Sequence, residues 1–157
     1  MSDQMLLQPI QASNPEKARA ALEKAREAHE KYLVRLQNCD LQEAIEHYID
    51  AVKYDPAMPE AYYRLATLMW EQGQISVDTA IEQCKTAVSL APQNINAHLY
   101  TGFFMKLAQD FKSAEQEFKS AIKMGKLKSA RPRLILSQSI LQKINTQNGT
   151  ASDYMNF

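Results

Sequence analysis

An all-α fold of repeated helix pairs is what this sequence predicts, and the first reason is internal repetition. Ala44, Tyr48, Ala51, Val52, Tyr54 and Pro56 share their offsets with Ala80, Cys84, Ala87, Val88, Leu90 and Pro92, and then with Ala114, Phe118, Ala121, Ile122 and Met124. The sets begin 36 and 34 residues apart. A period of that size means stacked supersecondary units, none of which buries its apolar face alone. The second reason is the helical spacing of apolar residues between the breaks. The third is composition: four glycines in 157 residues leave little room for hairpin turns or glycine-rich phosphate loops.

Residues 1–13 are polar apart from Met5-Leu6-Leu7 and form a flexible N-terminal segment by composition. A helix begins near Ser13 or Asn14. Asn14-Pro15 offers an N-cap before a first-turn proline, and Ser13 with Glu16 a competing capping box. Ala18, Leu22, Ala25, Tyr32 and Leu36 follow helical spacing to about Gln37, with His29 interrupting the stripe. Asn38-Cys39-Asp40 breaks this helix, and Asp40 is the expected cap of the next, which carries Leu41, Ala44, Tyr48, Ala51 and Val52 and stops before Asp55-Pro56. Pro59 opens a third helix with Tyr62, Leu65, Ala66 and Met69, and Gln72-Gly73-Gln74 ends it. Its partner holds Val77, Ala80, Ile81, Cys84, Ala87 and Val88 and ends at Ala91-Pro92; Gln83 is expected on its exposed side. A third pair runs from about Asn94 to Leu107 and from about Phe111 to Met124, with Gly125 as its C-terminal residue. A last helix, 130–145, carries Leu134, Ile135, Leu136, Ile140, Leu141 and Ile144 and caps the stack; residues 146–157 are a polar tail or linker. The repeat domain is thus 14–145, with repeats at about 14–58, 59–94 and 95–128.

The alanine rows explain how such pairs close. An alanine at the crossing point lets two helix axes approach, and Leu41, Val77 and Phe111, three residues before Ala44, Ala80 and Ala114, wedge between them.

The bulk numbers bound the function class. No apolar run approaches the roughly 18 residues of a membrane span. Cys39 and Cys84 make no spaced framework and read as reduced thiols of a cytoplasmic protein. Net charge is zero but uneven: residues 16–94 hold nine basic and thirteen acidic side chains, residues 95–145 nine basic and three acidic. Lys123, Lys126, Lys128, Arg131 and Arg133 fall together with no acid among them. They read as a solvated face, or as a docking patch for an acidic partner. The lack of interleaved aromatics argues against nucleic acid.

These residues resemble the tetratricopeptide repeat family, a helix-turn-helix unit of about 34 residues. Tyr62, Leu65-Ala66, Ala80, Ala87 and Pro92 match its pattern, as do Gly102, Phe111, Ala114, Phe118 and Ala121, and Leu41, Ala44, Tyr48, Ala51 and Pro56. The match covers roughly residues 38–128. The departures are a middle repeat two residues longer around Gln74–Val77, Lys126 in place of the third terminal proline, and Tyr32 where a small residue is usual. The resemblance implies a right-handed α-α superhelix of about three repeats with capping helices at both ends. It also implies a concave groove lined by the first helix of each repeat. Carried over, the groove positions are Glu60, Tyr63, Thr67, Trp70 and Glu71, then Asn96, Leu99, Phe103, Lys106 and Leu107. Tyr63, Thr67, Trp70, Asn96, Leu99, Phe103 and Lys106 are therefore the candidate peptide-binding residues, with the single tryptophan as anchor. Some family members clamp a chaperone-tail carboxylate with lysine, asparagine and arginine. Here the matching positions hold Glu27 and Lys31, Arg64, and Asn96 and Tyr100, so that set is not reproduced.

Catalytic readings are poor. His29, His47 and His98 lie on three different helices without zinc-ligand spacing. His98 takes the place of Tyr62 one repeat later and reads as a packing residue, and Cys84 aligns with Tyr48 and Phe118 in the core. No nucleophile-base pair or phosphate loop is present, and no cofactor is implied. The expectation is a non-enzymatic protein-interaction module that holds a peptide or partner helix. Self-association through the same surface, or a docking domain of a larger enzyme continuing beyond Phe157, are the alternatives.

Overall fold

The computed structural model describes residues 13–127, all helical apart from turns: α1 (Pro15–Arg35), α2 (Asn38–Tyr54), α3 (Pro59–Glu71), α4 (Val77–Leu90), α5 (Ile95–Leu107) and α6 (Phe111–Leu127). No strand occurs among the described residues. The expected 130–145 cap and both terminal segments lie outside them. The chain divides into two compact units, 1–75 and 76–157.

In the first unit α1 packs on α2 and α2 on α3. Asn14 is the N-cap of α1: its Oδ1 accepts from the Lys17 N–H at 3.1 Å, with Pro15 in the first turn. The Asn14 N–H donates to the Tyr54 carbonyl at 2.9 Å, which ties the start of α1 to the end of α2. Ala18, Ala21, Leu22, Ala25, Ala28, His29 and Tyr32 make the buried stripe, so His29 continues the stripe instead of interrupting it. The helix ends slightly early, because Leu36 turns left-handed (φ 53°) and donates its N–H to the Tyr32 carbonyl at 2.7 Å. Gln37, not Asp40, then occupies the cap position of α2, without a side-chain bond. Asp40 lies inside the first turn, buried, with the Arg35 guanidinium 3.6 Å away. Carboxylates are favoured there by the helix dipole even when they do not cap. Leu41, Ala44, Ile45, Tyr48, Ala51 and Val52 are buried. Pro59 opens α3, and Gly73 closes it in the left-handed region (φ 74°), with Gln74 N–H reaching back to the Met69 carbonyl.

In the second unit α5 packs against both α4 and α6. Ser76 caps α4 through the Thr79 N–H, Asn94 caps α5 through Ala97, and Asp110 caps α6 through Ser113. Ala80, Gln83, Cys84 and Ala87 are buried along α4. Gln83 thus corrects the expected exposure: it sits between Ala80 and Ala87 on the same helical stripe. Every residue of α5 from Ala97 to Met105 is buried. Gly102 lies under the Phe118 ring, where an added Cβ would stand 2.7 Å from Phe118 Cε1. Helix α6 runs on to Leu127, so Gly125 is interior to it and not its terminus.

The repeat arithmetic holds. All six row alanines, Ala44, Ala51, Ala80, Ala87, Ala114 and Ala121, are at most 2% exposed. The turn from α3 to α4 has five residues and that from α5 to α6 three, which is the two-residue extension placed around Gln74–Val77.

Candidate functional site

Of the expected groove residues on α3, Tyr63 and Thr67 are buried, and Trp70 is half-buried. Thr67 donates its hydroxyl to the Tyr63 carbonyl one turn back, at 2.8 Å. On α5, Leu99 and Phe103 are buried and Asn96 and Lys106 half-buried. Phe103 stands edge-on to Phe104, ring centroids 5.0 Å apart. Three of the seven, Trp70, Asn96 and Lys106, therefore keep surface to offer. In the basic stretch Lys123 is exposed on α6; the Lys126 side chain and Lys128, Arg131 and Arg133 lie outside what is described.

The first unit holds a polar network that the sequence reading did not assemble. Arg26 of α1 grips Glu60 of α3 through both carboxylate oxygens, its Nε donating to Oε1 at 2.9 Å. Arg64, one turn beyond Glu60, is also 2.9 Å from Oε1, and Glu23 flanks Arg26 at 2.6 Å. Burial raises the Glu60 pKa, but Arg26 and Arg64 outweigh it and hold the carboxyl below its usual range. The hydrogen bond to Glu60 in turn raises Arg26. Tyr32 donates to Glu71 Oε1 at 2.5 Å within the same unit. Two signals could have found this: the Glu60–Arg64 spacing of four on one helix, and the Arg26–Glu60 separation of 34, one repeat period.

Beside the network, His29 meets the Tyr48 ring edge-on, centroids 6.3 Å apart. Burial, aided by Arg64, pushes the His29 imidazole down to about 4. The Tyr48 hydroxyl is fully buried with no hydrogen-bond partner, and burial pushes its pKa upward. In the second unit His98 is a clasp. Its Nδ1 lies 2.6 Å from Glu117 Oε2 and its Nε2 2.8 Å from the Pro92 carbonyl, so it joins α5 to α6 and to the preceding turn. Cys84 is buried, and its thiol pKa is raised by desolvation; Cys39 is exposed. His47 reaches Glu43 at 3.8 Å. Among the described residues no three His, Cys, Asp or Glu side chains group as metal ligands, and no helix is long and apolar enough to cross a membrane.

The family profile described as TPR repeat matches residues 37–73, which span α2 and α3. Among solved structures, the TPR2B domain of yeast Sti1 in complex with pHsp70 superimposes with a TM-score of 0.59 at 20% identity, over 70% of this chain and 81% of that one. The described helices have the tetratricopeptide-repeat fold, and the family profile itself matches the segment 37–73. The tetratricopeptide domain of Arabidopsis OM64 gives 0.59 at 21% identity, over 71% and 85% of the two chains. The first tetratricopeptide domain of Spaghetti (RPAP3), bound to the HSP90 peptide SRMEEVD, gives 0.59 at 20%, over 85% and 94%. At these identities the likeness concerns the tetratricopeptide fold. No curated protein sequence matches the chain.

Proposed function

We propose that this chain, with its tetratricopeptide fold, is a non-enzymatic interaction module that takes a peptide or partner helix on α3. The observation carrying this reading is Trp70. The only tryptophan of the chain stays half-buried on α3, while its neighbours Tyr63, Thr67, Leu68 and Met69 are buried. A partly exposed aromatic residue on a helix is a common make-up of an interface anchor. Relatives of the same fold support peptide binding as the class of activity, since yeast Sti1 and Spaghetti domains hold pHsp70 and an HSP90 peptide.

A chaperone tail is nevertheless not the proposed ligand. Of the positions matching the carboxylate clamp, Tyr100 is buried and Arg64 is committed to Glu60. Glu27 brings a repelling charge.

Trp70 fluorescence tests both statements. Titration with SRMEEVD is expected to leave the emission unchanged. Partners captured by the immobilised full chain and identified by mass spectrometry are expected to be lost on Trp70→Ala at unchanged helicity. A saturating response to SRMEEVD, or capture indifferent to Trp70→Ala, would defeat the proposal.

A further inference from the structure

The second unit contains a cleft of about 610 Å³ formed by α4, the end of α5 and α6. Pockets that bury a ligand run from about 300 to 1,000 Å³. Ile81, Met105 and Ala108 supply its apolar lining, and Asp78, Glu82, Asp110 and Glu117 its carboxylates. Charge is segregated around it. Residues 76–127 carry five acids and six lysines. Four of the five acids line the cleft, against one of the six lysines, Lys85. The result is a negative hollow with an apolar floor in a stretch that is otherwise basic.

The four acids differ in their commitments. Asp110 caps α6 through the Ser113 N–H. Glu117 is fixed on the wall by His98, whose Nδ1 lies 2.6 Å from Oε2 and which is itself buried and tied to the Pro92 carbonyl. Glu82 is 3.2 Å from the Lys85 ammonium. Asp78 makes no ion pair among the described residues. The acids share one cleft, yet among the described residues no three His, Cys, Asp or Glu side chains gather to hold a metal ion. Carboxylates spread in this way fit positive charges that are spread along an apolar length. Arginine and lysine side chains have that make-up, a methylene stem for the floor and a cationic head for the acids. Gln116 adds an amide with both a donor and an acceptor, the complement of a peptide bond, whereas a protonated polyamine offers no acceptor. Met105 is an adaptable surface for an aliphatic side chain.

We propose that this cleft is a second docking surface, distinct from the α3 surface, for a basic and partly aliphatic peptide segment of a partner protein. The cationic heads of the segment meet Asp78, Glu82 and Glu117, and an aliphatic side chain rests on Ile81 and Met105. Lys85 is a built-in competitor, because its ammonium holds Glu82 until an incoming cation replaces it.

The probe is a fluorescein-labelled hexapeptide of alternating arginine and leucine, titrated with the full chain and followed by anisotropy. Saturable binding is expected. Asp78→Asn with Glu82→Gln should weaken it roughly tenfold, the effect of losing two exposed ion pairs. Lys85→Gln should tighten it about threefold by removing the competitor. Opposite shifts from neighbouring substitutions on one helix do not arise from a common folding defect. About 0.5 M salt should weaken binding to the wild type, and replacing the leucines of the probe by serine should remove most of it. Trp70→Ala is expected to change nothing, so failure here and failure of the α3 reading are told apart. The proposal is overturned by an absence of saturable binding, by variants of α4 that bind like the wild type, or by an arginine-serine probe that binds as well as the arginine-leucine one. Spermine bound more tightly than the probe would make a small polycation the occupant, and loss of binding in Trp70→Ala would place the peptide on α3; either result also overturns it.

Discussion

His29 makes the first unit sensitive to acid. Its imidazole is buried and held neutral, with a folded value of about 4 against an ordinary 6.5. Between those limits the unfolded chain binds the proton and the folded one refuses it, so stability falls as pH drops from about 6.5 towards 4. The full loss is on the order of 3 kcal/mol. Glu60 acts in the same direction lower down: its depressed carboxyl contributes stability above its unfolded value near 4.5, and that is lost as pH falls through the folded value. We expect His29→Phe, which keeps a ring beside Tyr48, to flatten the change in urea midpoint between pH 7 and pH 5; an unchanged slope would assign the acid sensitivity elsewhere. Two tyrosines separate a useful hydroxyl from an idle one. Tyr48→Phe removes a buried hydroxyl that has no partner, and is expected to leave the midpoint unchanged or higher. Tyr32→Phe removes the bond to Glu71 and should cost roughly 1–3 kcal/mol. Equal effects in thermal melts would mean that the two hydroxyls are not distinguished as described.

The helices themselves depend on small residues at crossing points. Ala87 has no exposed surface, and Ala87→Leu is expected to cost roughly 1–3 kcal/mol by overpacking, against little for Glu82→Leu on the exposed side of the same helix. Gly102→Ala meets the Phe118 ring and should behave like Ala87→Leu, whereas Gln109→Gly relieves a left-handed residue (φ 64°) and should gain up to about 1 kcal/mol. Urea midpoints for these four variants check the order. This is also the scale at which the sequence was most legible. Starts marked by Asn14-Pro15, Pro59 and Asn94, and stops at Gly73 and Pro92, are local chemistry, and a periodic stripe reports its own buried side. Asp40 and Gln83 escaped because each has two plausible local positions, cap or first turn, rim or stripe, and packing chooses between them. The candidate binding residues were less legible. The family geometry puts Tyr63, Thr67, Leu99 and Phe103 in the lining, whereas their burial depends on what surrounds each helix. The Arg26–Glu60–Arg64 group joins helices a full repeat apart, and a chain read element by element does not bring it together.

At the scale of the whole chain, charge is sorted along the sequence: an acidic first half, a basic second half, and an acid-lined cleft inside the basic one. The two compact units meet in sequence at Ile75 and Ser76, within the longest of the turns between paired helices. That turn contains the one left-handed glycine among the described residues, and Gly73 and Gln74 are exposed. Added length in such a turn costs little, about 0.6 kcal/mol for each doubling. A Gly-Ser insert carrying a protease recognition sequence between Gly73 and Gln74 should therefore leave the melting temperature almost unchanged, whereas the same insert inside α5, where nine successive residues are buried, should abolish the cooperative transition. The practical yield is a polypeptide that can be opened at a chosen moment after folding. Cleaved there, it becomes one piece carrying residues 1–73 with α1, α2 and α3 whole and another carrying residues 74–157 with α4, α5 and α6 whole, whose separate fates can be followed in real time.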